Sequence, residues 1–98
     1  MINEYNNRQL IKMKQQLASF QKGILPLGSL VGDLEFLLNA MESVDITWKE
    51  KVFEEIANLE EIYAIALDRD MNEIDDKGKA MIYQSIKKLS FYFEEYTF

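Results

Sequence analysis

The sequence contains no cysteine and no histidine. No disulfide framework can form, and a zinc centre of the Cys/His kind is excluded. The absence of cysteine fits a reducing compartment. Proline occurs once, at Pro26, and glycine at Gly23, Gly28, Gly32 and Gly78. So few breakers favour helix nearly throughout. No polar/apolar alternation is long enough to set a strand, and there is no internal repeat or low-complexity segment. No window holds about 18 consecutive apolar residues, so no transmembrane helix and no membrane partner are expected. The stretch from Met1 to Phe20 lacks the continuous apolar run of a signal peptide and reads as an amphipathic helix. A cytoplasmic protein of bacterial style is the expectation.

The apolar fraction is 48% and the charged fraction 29%, which excludes the disordered class. Ninety-eight residues suit one domain, 1–98, long enough to bury a core without staples. The net charge of −6 is unevenly spread. Residues 1–32 carry a net +3, residues 33–76 a net −11, and residues 77–98 a net +2. Direct nucleic-acid binding is disfavoured, because phosphates would meet the acidic middle segment. That segment reads either as a solvated surface that aids solubility or as a face that attracts a basic partner.

Apolar periodicity predicts four helices. The first spans 3–21, capped by Asn3, with Tyr5, Leu10, Met13, Leu17 and Phe20 inward; Gly23 stops it and Pro26 prevents continuation. The second spans 27–43, with a stripe of Leu27, Leu30, Val31, Leu34, Leu37, Leu38 and Met41. Gly32 lies within it and implies a close helix–helix approach. The third spans 47–69. Thr47 and Glu50 form a capping-box pattern, and Trp48, Val52, Ile56, Leu59, Tyr63 and Ala66 form the stripe, flanked by Ile62 and Leu67. The fourth spans 75–96, capped by Asp75 or by Asn72, with Ile82, Ile86, Leu89, Phe93 and Tyr96 inward. Short linkers favour antiparallel neighbours. The fold expected is therefore all-α, a compact antiparallel bundle of about four helices.

Catalytic patterns are missing. A nucleophilic triad wants histidine as its base, and the serines have no motif around them. Gly28-Ser-Leu-Val-Gly32 superficially resembles a phosphate loop but lacks the following Lys-Ser/Thr and a preceding strand. Adjacent carboxylates such as Glu54-Glu55 and Glu60-Glu61 point about 100° apart on a helix, and a di-metal bundle would also need histidines. The acids of 68–76 lack the central glycine and terminal glutamate of a calcium loop. No enzyme, no cofactor and no metal site is expected.

The most informative feature lies on the third helix. At about 100° per residue, Glu50, Glu54, Glu61 and Asp68 fall within about 20° of the direction opposite the core stripe. No basic residue interrupts them, and Ala57, Ala64 and Ile65 lie beside them. The row reads either as an ordinary wet face or as an acidic ridge with an apolar shoulder, suited to a cationic groove. At the C-terminus, Phe93 and Tyr96 continue the core stripe, whereas Phe91, Tyr92 and Phe98 do not. These three are expected either to pack on the first helix or the 21–27 loop, or to form a patch for a homodimer or another partner.

The run Leu30-Val-Gly-Asp-Leu-Glu-Phe-Leu-Leu-Asn-Ala-Met41, then Trp48, then Leu59-Glu-Glu-Ile-Tyr-Ala-Ile-Ala-Leu-Asp68, resembles a family of short, acidic, all-helical bacterial proteins. Some of these are associated with immunity proteins of contact-dependent or polymorphic toxin systems. The resemblance covers roughly residues 30–68. It implies neutralisation of a cognate toxin, often a nuclease, by direct binding. A basic toxin domain would then meet Glu50, Glu54, Glu61, Ile65 and Asp68, with Asp70, Glu73, Asp75 and Asp76 in the following loop. The rival expectation is a structural or regulatory protein that homodimerises through its aromatic tail.

Overall fold

Leu10, Met13 and Leu17 recur at three- and four-residue spacing and set the first helix, α1 (Glu4–Gln21). In this computed structural model it is followed by α2 (Leu27–Ala40), α3 (Ile46–Asp68) and α4 (Asp76–Glu95). The structure describes residues 4–68 and 74–96. Sequential helices pack on one another, α4 returns to α1 along a thinner seam, and no strand occurs among the described residues. The result is the expected all-α antiparallel bundle. Leu30, Leu34, Val52, Leu59, Leu89 and Phe93 form the solvent-free centre. One ion pair, Lys14 Nζ to Glu94 Oε1 at 3.4 Å, bridges the α1–α4 seam.

The ends of the helices follow local chemistry, with corrections to the sequence-based boundaries. Gly23 terminates α1 at φ +78°, the left-handed geometry that a glycine adopts without strain. Its N–H donates to the Phe20 carbonyl and that of Ile24 to the Ser19 carbonyl, both at 3.0 Å, which is a Schellman closure. The expected cap Asn3 lies outside the described residues. Tyr5 is not part of the inward stripe. The period set by Leu10, Met13 and Leu17 runs back to Asn6, which is buried, and leaves Tyr5 at the edge beside Arg8.

α2 stops at Ala40, short of the expected 43. The peptide of Glu42 is held instead by Asn6: the Glu42 N–H donates to Asn6 Oδ1 at 2.8 Å, and Asn6 Nδ2 donates to the Glu42 carbonyl. Ser43 then turns the chain at φ +54°. α3 is capped by Asp45 rather than Thr47. The Asp45 carboxylate accepts from the Trp48 N–H at 3.0 Å, so Thr47 already lies inside the first turn. The same device opens α4, where Asp75 Oδ1 accepts from the Gly78 N–H at 2.7 Å. Of the two caps left open by the sequence, Asp75 serves; Asn72 lies outside the described residues.

Gly32 is exposed and would meet nothing on gaining a Cβ, which overturns the close approach expected there. The close approach occurs one turn earlier. A Cβ on Gly28 would sit 2.7 Å from Tyr63 Cζ, so the tyrosine ring of α3 lies flush on the start of α2. This contact also fixes where α3 outruns its neighbour. α2 has 14 residues and α3 has 23, roughly 21 and 34 Å at about 1.5 Å per residue. Beyond Tyr63, the last turn of α3 passes the start of α2. Leu67, expected at the core's flank, is therefore 62% exposed, while Ile62, facing α4, is buried.

Candidate functional site

The outer face of α3 is built by the same 3.6-residue period that builds its inner face. With Trp48, Val52, Ile56 and Leu59 buried, Glu50, Glu54, Glu61 and Asp68 project on the opposite side, and all four are exposed. Glu55, one residue on from Glu54, turns inward and is 4% exposed. Its carboxylate accepts from Asn58 Nδ2 at 3.3 Å and stands 4.0 Å from Lys88 Nζ. The adjacent glutamates Glu54 and Glu55 thus divide between a solvent-facing row and a structural contact to α4.

Two hollows border this row. Towards the C-terminal end of α3, a groove of about 320 Å³ lies against the start of α4, lined by Glu61, Ile62, Ile65, Ile74, Asp75 and Met81 among others. Three expected site residues, Glu61, Ile65 and Asp75, meet there. Asp75 is partly committed, because one of its oxygens caps α4. Asp76 is exposed in the first turn of α4 but does not line the groove. Asp70 and Glu73 lie outside the described residues. Towards the N-terminal end, an open hollow of about 510 Å³ is lined by Ile46, Lys49, Glu50, Phe53, Glu54 and Ala57. Glu50 and Glu54 thus belong to a different depression from Glu61, and the expected site is a row with two apolar borders rather than one cluster.

Sequence reasoning missed Phe53 and Ile46, which are 51% and 63% exposed. The signal was present. Phe53 lies about 100° from Val52, outside the core arc, and Ile46 falls beside it at a seven-residue spacing.

The aromatic tail divides in a way neither expectation described. Trp48 Nε1 donates to the Tyr92 carbonyl at 2.8 Å, and the Trp48 ring stacks on Tyr96 with centroids 4.2 Å apart. Lys51 Nζ lies 5.9 Å from the centroid of the Tyr92 ring. Tyr96, expected inward, packs on Trp48 of α3, and Tyr92, expected on α1, on the 21–27 loop or in an exposed patch, is half-buried with its carbonyl and ring beside α3. Phe91 is 65% exposed, and Phe98 lies outside the described residues.

Among the described residues, no buried side-chain polar atom lacks a partner and no three carboxylates are grouped to hold a metal ion. No helix there is long and apolar enough to cross a membrane. The arrangement offers charge and apolar contact.

No family model, characterised protein or solved structure matches this chain.

Proposed function

We propose that this protein is an immunity protein that binds and neutralises a cognate toxin domain, a basic one of the nuclease kind, through the acidic face of α3. The observation that carries this reading is the row Glu50, Glu54, Glu61 and Asp68. It is exposed, free of lysine and arginine, and directed away from the core. Glu50 and Glu54, one turn apart, repel at a cost of a few tenths of a kcal/mol, which a purely structural surface would relieve with a lysine. Nuclease clefts are basic because they hold phosphates, and an acidic ridge can occupy such a cleft. The resemblance of residues 30–68 to a family of short acidic helical bacterial proteins, some of them associated with toxin immunity, points the same way. No chemistry is required of the protein itself. Charge would set the association rate, and apolar anchors the residence time.

The rival homodimer through the aromatic tail is left with less surface. The Tyr96 ring is stacked on Trp48 and the Tyr92 ring is half-buried, so Phe91 is the most exposed of the described tail aromatics.

Co-expression with a basic toxin domain, sought first in the neighbouring gene, tests the proposal. The wild-type chain should rescue growth, and the Glu54→Lys/Glu61→Lys double variant should rescue less. Failure of the wild type to rescue overturns the immunity reading. Equal rescue by the double variant removes the acidic row from the interface.

A further inference from the structure

α3 carries a second apolar stripe, on the side not used by the bundle. Ile46, Phe53 and Leu67 occupy three of the four positions of a seven-residue series whose remaining position is the exposed Glu60, and are 63%, 51% and 62% exposed. Ala57 and Ala64 lie between them, the first half-buried and the second exposed. The stripe extends about 32 Å along the helix at about 1.5 Å per residue. Seven-residue spacing keeps it nearly parallel to the axis, as in a helix that packs against another helix. Small residues between large ones leave room for a neighbouring backbone or an inserted side chain. The hollow beside Phe53 is such a place.

We propose that this stripe is the seat of an amphipathic helix of the partner, one whose apolar face is bordered by lysine or arginine. This deepens the immunity reading and rests on it for the identity of the partner, but not for the nature of the surface. Charge complementarity selects the occupant. One border of the stripe is the uninterrupted row Glu50, Glu54, Glu61 and Asp68; Glu60 stands within the stripe between Phe53 and Leu67, and Lys49 lies on its far side. A second copy of the chain laid antiparallel on α3 would set acidic row beside acidic row, a like-charge juxtaposition that opposes association. A helix with a basic border meets the row favourably while its apolar side chains cover Ile46, Phe53 and Leu67.

The test uses a labelled synthetic helical peptide of roughly 21 residues, matched to the stripe's length. Its leucines stand at heptad spacing and are bordered by lysines; a second peptide has glutamates in their place. Fluorescence anisotropy should show binding of the lysine-bordered peptide only. Phe53→Ser should weaken that binding about tenfold, as loss of a central anchor does. Phe36→Ser should leave it unchanged, because Phe36 is also exposed but lies on α2. Glu54→Lys should weaken it and flatten its salt dependence. In the wild-type protein, the ring resonances of Phe53 should shift on titration and those of Phe36 should not. Binding of both peptides alike, or equal weakening by Phe53→Ser and Phe36→Ser, overturns the proposal. Sedimentation of the protein alone supplies a further outcome: a dimer dissolved by Phe53→Ser would assign the stripe to a second copy and overturn the basic helix. Growth rescue is read separately. Rescue by wild type and by Phe53→Ser alike would overturn this surface while the immunity reading stands. Selective peptide binding without rescue would leave the surface and overturn the toxin.

Discussion

The indole of Trp48 and the backbone of Tyr92 join the first turn of α3 to the last turns of α4, with Nε1 to carbonyl oxygen at 2.8 Å. Helix ends leave carbonyls without intrahelical partners. The N–H of Tyr96 turns to Glu94, so the tryptophan supplies a donor where the helix is giving out. The same ring stacks on Tyr96, and Trp48 is 5% exposed. Trp48→Phe keeps most of the packing and loses the donor, and should cost about 1 kcal/mol. Trp48→Ala should cost about 3–5 kcal/mol. Denaturant unfolding measures both, and near-equal costs would show that the hydrogen bond, rather than the ring, dominates.

Asn6 acts as a backbone substitute. Its amide pairs with both polar groups of the Glu42 peptide and ties the start of α1 to the turn between α2 and α3. Asn6→Ala should destabilise by about 1–3 kcal/mol, the usual cost of removing one partner of a buried hydrogen-bonded pair. Amide hydrogen exchange gives the sharper reading. The Glu42 N–H should lose protection in the variant by more than the global change in stability explains.

Gly28 and Tyr63 form a tight pair. Gly28→Ala places a methyl group 2.7 Å from the tyrosine ring, and overpacking of that kind costs about 1–3 kcal/mol. In a Tyr63→Ala background the obstruction is gone, and the same substitution should be neutral or slightly stabilising through helix propensity. A double-mutant cycle should therefore give a coupling of at least about 1 kcal/mol. A coupling near zero would mean that the ring moves aside freely. Gly32→Ala meets nothing, and should stabilise by up to about 1 kcal/mol as an exposed helical glycine replaced by the best helix former.

Reversing Glu54 and Glu61 to lysine should leave far-ultraviolet circular dichroism intact, since both side chains are exposed. With a basic toxin domain as partner, stopped-flow association should slow, and its rate should vary less with ionic strength. Steering of this kind acts over a screening length of about 8–10 Å at 0.1–0.15 M salt. A rate with unchanged salt dependence would place the electrostatic contact elsewhere on the molecule.

Much of this protein was legible in its sequence, because helix periodicity and burial are local matters. The stripes of α2 and α4, the row of exposed acids on α3, and the stops at Gly23 and Pro26 all follow from spacing and backbone preference. Where short-range rules compete, the sequence leaves them undecided. Asp45, Thr47 and the pair Asn72 and Asp75 are all acceptable caps by residue type, and position in the tertiary frame chose Asp45 and Asp75. The turn after the early end of α2 is held by Asn6, 36 residues away, a contact that no local pattern reports.

The differing lengths of α2 and α3 could be read from the sequence, but not the register that sets Tyr63 on Gly28 and carries the last turn of α3 past α2. That register decides which apolar residues are core and which are surface. Ile62 is covered because α4 lies beside it, and Leu67 is open because none of the described helices covers it. Hydrophobicity states what a residue gains from being covered. Only the placement of neighbouring helices states whether the fold covers it, and at Ile46, Phe53 and Leu67 the fold does not.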